Sequence, residues 1–285
     1  MFLKKNSSVS EVLAFGAKAL TKKSPTPILD AELMLCSVLD LSRARIISAA
    51  NEIVEDKFLH HFKDLLNKRL DGYSVAQVIQ KKHFWKSEFV VTKDTFAPRP
   101  DTETLIEAVL SCHKDKKKNI KIAEFGTGTG CIIISLLKEY KNAIGYGFEK
   151  NIRSYFVTKK NIKKHALQSR LQVFCKSFTR AQEILTNIDI LVSNPPYIKK
   201  FEIKSLQPEI QKEPIMALDG GVGGFLPYIQ IFKIAKKILK KNGEIFVEIG
   251  DNQENFLKCC DKSLQVKQLF KDLSGKVRII RFCVL

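Results

Sequence analysis

The chain has 285 residues, 45% of them hydrophobic, which supplies a sizeable core and fits about two domains. Its formal net charge is +18, mostly from lysine, and no apolar run approaches the roughly 18 residues a membrane-spanning helix needs. This argues against a helical membrane protein; the charge allows contact with nucleic acid or ribonucleoprotein without requiring it, because solvated lysine-rich faces give the same count.

The seven cysteines show no zinc-ligand or disulfide-framework spacing: Cys259 and Cys260 adjoin and the others are scattered. Reduced thiols, a cytoplasmic location and no metal are the expectation. The N-terminal segment lacks the long apolar stretch of a secretory leader. Ser8-Val9-Ser10-Glu11 reads instead as a capping box opening a helix.

In residues 1–71, apolar side chains recur at helical spacing: Val12, Leu13, Phe15 and Leu20, then Leu29, Leu33, Leu35 and Leu39, then Phe58, Phe62, Leu65, Leu66 and Leu70. Pro25 and Pro27 part the first two groups. The pattern predicts a small helical domain without a catalytic constellation of its own. Residues 72–98 turn aromatic and β-branched ("HFWKSEFVVTKDTF"), which predicts a β-hairpin linking two domains. A helix then opens near Asp101 or Thr102. From residue 119 onward strand-like and helix-like segments alternate, ending in a helix and two strands. Residues 99–285 are therefore expected to form a doubly wound, mostly parallel α/β sheet of the Rossmann-like type.

The segment "AEFGTGTG", Ala123 to Gly130, runs from a strand through Gly126-Thr127-Gly128-Thr129-Gly130 into a helix. Glycines there allow a tight turn and close approach to a ligand. The dinucleotide pattern G-x-G-x-x-G fails, because Cys131 stands at its last position, and no P-loop lysine follows. With Glu124 before it, the loop suits a nucleoside ligand without a pyrophosphate, S-adenosylmethionine being the candidate. Glu149, at the end of the next strand, is spaced to accept hydrogen bonds from ribose hydroxyls. A glycine turn plus a surface Glu would give the same letters, so the loop gains meaning only with the next motif.

"DILVSNPPYIKK" ends an apolar strand in Asn194-Pro195-Pro196-Tyr197. Prolines cannot donate to a ladder, so the strand stops there, at the carboxyl end where ligands of open α/β sheets sit. A planar amide or amine nitrogen has a delocalised lone pair and attacks a sulfonium methyl only when aimed. The Asn194 side-chain oxygen and the Pro195 carbonyl can grip its two N–H bonds, Pro196 stiffens the loop, and Tyr197 can stack on the flat substrate group. A Pro-Pro loop that merely closes a strand is the plainer alternative.

With these motifs assembled, the chain resembles the PrmC/HemK family, the protein-(glutamine-N5) methyltransferases of peptide-chain release factors, over nearly its whole length. "APRPDTETLIE" (97–107), "AEFGTGTG", "VSNPPYI", "EPIMALDGGVGG" (213–224), "LDGYSVAQVIQKKHFW" (70–85) and "KDLSGKVRIIRF" (271–282) carry the resemblance. It implies methylation of the glutamine in the Gly-Gly-Gln loop of class-1 release factors, with residues 194–197 binding that side chain. It implies a helical N-terminal domain that contacts the release factor, and cofactor contacts from Gly126 to Gly130, Glu149, Asn194 and the aromatic Phe178. The chain departs from the family at Lys176-Ser177-Phe178, where the family has Asp before the aromatic, at Glu149 in place of Asp, and in "GYSVAQVI". Arg99, Asp101 and Glu103 read either as active-site rim, with Arg99 and Glu103 touching substrate, or as an arginine anchor and an acidic first helical turn. N-methylation of a ribosomal-protein glutamine or of an RNA or DNA base, and a non-enzymatic binding role, are the alternatives.

Overall fold

The computed structural model describes residues 3–259, 261 and 263–285, so Cys260 lies outside the described residues. The chain divides into two compact units: Met1–Lys81 with Gln207–Lys212, and Lys82–Leu206 with Glu213–Leu285.

The N-terminal unit is built from α1 (Val9–Leu20), α2 (Pro27–Leu39), α3 (Arg43–Ser48), α4 (Asp56–Leu70) and α5 (Val75–Ile79). The capping box forms as read: the Ser8 hydroxyl accepts from the Glu11 amide at 3.3 Å, and the Glu11 carboxylate accepts from the Ser8 amide at 2.8 Å. Val12, Leu20, Met34, Leu35, Phe62 and Leu66 form its core. Helices α1 and α4 approach closely at Gly16, where an added Cβ would lie 2.7 Å from the Phe62 ring.

The second unit opens with a hairpin, β1 (Lys81–Phe84) and β2 (Ser87–Val90), turning through Trp85 at φ 54. The strands are shorter than residues 72–98, because Ser74 and Gln77 make a second capping box that winds 75–79 into α5. A 3₁₀ turn, Pro100–Thr102, leads into α6 (Glu103–Cys112). Then follow β3 (Lys121–Phe125), α7 (Cys131–Glu139), β4 (Ile144–Phe148), α8 (Ile152–Lys164), β5 (Leu171–Phe174) and β6 (Ile188–Ser193). The short α9 (Pro208–Gln211) precedes α10 (Leu226–Ile238), β7 (Leu239–Glu248), α11 (Glu254–Cys259), β8 (Leu264–Lys271) and β9 (Val277–Val284).

The sheet order is β5-β4-β3-β6-β7-β9-β8, parallel from β5 to β7, with β9 antiparallel to both β7 and β8. This is the mostly parallel α/β sheet the alternation predicts. One apolar layer (Leu105, Val109, Ile133, Leu136, Phe89) covers one side of the sheet and another (Tyr228, Phe232, Ile238, Phe282) the other. Ile190, Leu191 and Val192 of β6 are all buried, as a strand covered on both sides requires. After β3 the chain moves outward through β4 to β5, then returns to lay β6 on the opposite side of β3. The order reverses between β3 and β6, and at such a switch point the loops leaving the carboxyl ends part to form a crevice.

Segment 207–212 folds with the N-terminal helices. Asp30 accepts from the Ser24 and Thr26 hydroxyls and from Arg69 Nε at 2.8 Å. Arg69, 3% exposed, also pairs with Glu209 of α9 and donates to the Tyr73 carbonyl at 3.3 Å. Gln77 donates to the Lys212 carbonyl at 3.4 Å. Among the described residues no helix is long and apolar enough to cross a membrane.

Candidate active site

The glycine loop leaves β3 with Gly126, Gly128 and Gly130 all at positive φ (74, 57 and 81), a run that only glycine adopts without strain. Gly126 and Thr127 donate to the Phe148 carbonyl at 3.0 and 3.1 Å, which ties the loop to the end of β4. An added Cβ at Gly126 or Gly128 would meet no heavy atom within 4 Å, so both face open space. Glu149, buried, accepts from the Gly128 amide at 2.9 Å and from the Asn151 amide at 2.8 Å. Thr158 of α8 donates to the Gly128 carbonyl at 2.7 Å. Asn161, fully buried on α8, donates to the Thr129 carbonyl at 2.8 Å and exchanges two hydrogen bonds with the Val90 backbone. No pattern in the sequence singles out Asn161; its role is set by which loops happen to meet at α8. Beneath the loop, burial drives the Glu124 carboxyl well above its ordinary range, and nearby Glu149 adds to the shift. Among the described residues, Glu124 Oε2 and Thr127 Oγ1 are buried without hydrogen-bond partners.

Asn194-Pro195-Pro196-Tyr197 leaves the adjacent strand β6. Ser193 Oγ donates to the Phe125 carbonyl at 2.7 Å, joining the two strand ends that carry the motifs. Asn194 Nδ2 donates to Thr102 Oγ1 at 3.2 Å, which turns the amide nitrogen inward. Tyr197 is held by glycines: an added Cβ would come within 2.8 Å of its Cα at Gly220 and of its ring at Gly250, and within 2.5 Å of its carbonyl oxygen at Gly224. The glycine-rich segment 220–224 is thus cut to fit the Tyr197 backbone, and Gly224 also sits at φ 78.

Two residues, one at the end of β7 and one in the turn after it, escape sequence reasoning. Gln253, 7% exposed, donates to the Tyr197 and Gly224 carbonyls at 3.2 and 3.3 Å. It accepts from the Gly250 amide at 3.0 Å and the Tyr228 hydroxyl at 3.1 Å, so its amide is fully used. Glu248, 3% exposed, faces Thr102 and Asn194, and its Oε2 has no hydrogen-bond partner among the described residues. The segment "EIFVEIGDNQ" reads as a strand and a turn, with nothing to mark either side chain.

A family profile described as the PrmC N-terminal domain matches residues 11–79, and one described as the methyltransferase small domain matches residues 100–219. The release factor glutamine methyltransferase of Agrobacterium fabrum is 30% identical over 96% of this chain and 96% of its own length. That of Aquifex aeolicus is 34% identical over 88% of this chain and 89% of its own. The chain belongs to the release factor glutamine methyltransferase family. It is accordingly a methyltransferase. The crystal structure of the human Mettl16 catalytic domain with an RNA hairpin overlays with a TM-score of 0.55 at 14% identity, over 81% of this chain and 84% of that one, and shares the fold.

The other residues singled out in the sequence resolve into local structure. Arg99 Nη2 lies 2.9 Å from both carboxylate oxygens of buried Glu213, and its guanidinium stacks over Phe96. Glu103 accepts from the Trp85 amide at 2.7 Å, at the hairpin turn. Both side chains are engaged by the protein itself. Asp101 lies 3.4 Å from Arg278. Ser177 caps the 3₁₀ helix Phe178–Glu183, its hydroxyl accepting from the Thr179 amide at 3.3 Å. A serine does this as an aspartate would. Phe178 stacks on Phe125 at 4.8 Å and an interplanar angle of 13°.

Proposed function

We propose that the protein transfers a methyl group from S-adenosylmethionine to the side-chain amide nitrogen of the glutamine in the Gly-Gly-Gln loop of class-1 release factors. The observation that carries this reading is the pairing of two motifs at one switch point: the glycine loop at the end of β3 beside Asn194-Pro195-Pro196-Tyr197 at the end of β6, in a chain of this family. Both relatives named above are release factor glutamine methyltransferases, which supports the substrate assignment.

The residues present fit the cofactor. Gly126 and Gly128 leave room for a ligand against bare backbone, and Thr127 Oγ1 and Glu124 Oε2 are buried polar atoms awaiting donors or acceptors. Glu149 spends one lone pair of each oxygen on a backbone amide and keeps the others for ribose hydroxyls. Phe178 offers a flat face for the adenine. When bound, S-adenosylmethionine supplies an electrophilic methyl group on a sulfonium.

The chain's own residues supply aim and charge. With Nδ2 turned toward Thr102, the Asn194 oxygen is left for one substrate N–H, and the Pro195 carbonyl for the other. Two acceptors on the two N–H bonds orient the nitrogen lone pair and stabilise the positive charge that develops on it. Tyr197, clamped by Gln253 and three glycines, presents its ring to the planar amide. The N-terminal helical unit is assigned to contact with the release factor. The test is methyl transfer in vitro: purified protein, S-adenosylmethionine and unmethylated release factor, with the Gly-Gly-Gln peptide weighed by mass spectrometry. One added methyl on that glutamine is the expected result. Its absence, with cofactor bound, overturns the substrate and redirects the search to ribosomal protein or RNA.

A further inference from the structure

Asn194 and Glu248 each follow the last paired residues of neighbouring parallel strands, since Ser193 and Val247 are in register across β6 and β7. The Glu248 carboxylate is buried, faces the Thr102 hydroxyl and the Asn194 amide, and among the described residues has one oxygen, Oε2, without a hydrogen-bond partner. Thr102 Oγ1 accepts from Asn194 Nδ2, so its own proton is free to be given onward. An ionised carboxylate only accepts. An asparagine flipped end for end would turn its oxygen toward that carboxylate and compete with it for the Thr102 proton. The acceptor-only wall under the loop therefore selects one of two otherwise similar amide orientations.

We propose that Glu248 is a positioning residue for methyl transfer: through Thr102 and against the Asn194 amide, it keeps Nδ2 inward and Oδ1 outward, toward the substrate nitrogen. This rests on the reading of Asn194 given above. The polarity matters because an oxygen accepts from the substrate N–H, whereas an NH₂ in its place would oppose that N–H and the charge growing on the nitrogen.

The arrangement has a pH signature. Burial pushes the Glu248 carboxyl up to about 7, opposed by Thr102, Arg278 and Asn194 and reinforced by Asp101. Tyr197, Tyr228 and Cys131 also feel its charge, and burial holds each of them protonated through neutrality. Below its pKa Glu248 carries a proton and becomes a donor. The inward wall then accepts either end of the Asn194 amide. The ionised form is the active one, so turnover rises with pH through about 7.

The experiment compares wild type, Glu248→Gln and Thr102→Val. Glutamine keeps the size of Glu248 but brings an NH₂ of its own. Expected for E248Q are a roughly 10–100-fold lower kcat, as for partners that orient an active group, KM and cofactor affinity by calorimetry within about twofold, and no kinetic step near pH 7. T102V should match it, and the double variant should fall no further. Carboxyl-carbon NMR of the free protein adds a readout that needs no turnover: the signal lost in E248Q should titrate near 7, and the Asn194 side-chain NH₂ signals should move with the same midpoint. Wild-type kcat and an intact step near pH 7 in E248Q would overturn the proposal. NMR coupling without release-factor methylation would instead uphold Glu248's hold on Asn194 and overturn the substrate.

Discussion

In the proposed reaction Asn194 and Glu149 carry two separate tasks, one toward the substrate and one toward the cofactor. Asn194 lies beyond the glycine loop, bonded to Thr102 and, among the described residues, to no residue of that loop. Asn194→Ala should therefore lower kcat by roughly 10²–10³-fold, the usual cost of removing one positioned polar group, while cofactor affinity falls only modestly. Equal losses in turnover and in calorimetric affinity would count against the role. Glu149→Ala should do the reverse. It removes the acceptor for the Gly128 and Asn151 amides and, with them, the proposed ribose partner, so affinity for S-adenosylmethionine should drop most. An unchanged dissociation constant would sink the assignment. At Ser177, where the chain departs from the family pattern, the helix cap is kept. Capping the helix that bears Phe178 requires only an oxygen at that position, and serine has one.

Among elements, the turn that follows β7 is the least expected contributor. Gln253 ties together the Tyr197 loop, the glycine segment 220–224, the Gly250 turn and α10 with one amide group. Gln253→Ala would leave buried backbone groups at Tyr197, Gly224 and Gly250 seeking partners. Unmade buried hydrogen bonds cost about 1–3 kcal/mol each, with water repairing part of the loss. We expect roughly 3 kcal/mol of destabilisation by urea titration, with turnover falling because Tyr197 loses its support. Stability within 0.5 kcal/mol of wild type, on the order of a surface change, would show that the hub is dispensable. The PRPDTE segment serves several neighbours at once: Arg99 fixes Glu213, Thr102 reaches Asn194, and Glu103 receives the hairpin turn.

At the scale of the whole molecule, the buried Asp30–Arg69 pair organises the N-terminal unit and receives Glu209 from the distant α9. Arg69→Met would leave the Asp30 carboxylate buried with only two hydroxyl donors. Breaking such a pair from one side costs about 3–5 kcal/mol, a large share of the roughly 5–15 kcal/mol that holds a domain together. Thermal denaturation should show the N-terminal helices melting early. Combining it with Asp30→Asn should recover part of the loss, because the stranded charge is gone. If R69M melts with wild type, the pair is not what holds these helices.

What the sequence by itself determined is whatever depends on local order. Helical periodicity in residues 9–70 and strand–helix alternation after residue 119 are set by which side chains must be buried at periods of 3.6 and 2. The glycine loop and Asn194-Pro195-Pro196-Tyr197 were legible because their backbone chemistry is unusual: positive φ in one, missing donors in the other. What only the tertiary structure decided is which distant groups meet. Glu248, Gln253, Asn161 and Glu209 are ordinary polar residues within their own segments. Each acquires its part from a partner 32 to 140 positions away, or, for Glu248, from strand register. Folding brings Glu248, Gln253 and Asn161 to the loops around the switch point of the sheet and Glu209 to the N-terminal helices, and sequence spacing carries no record of either meeting.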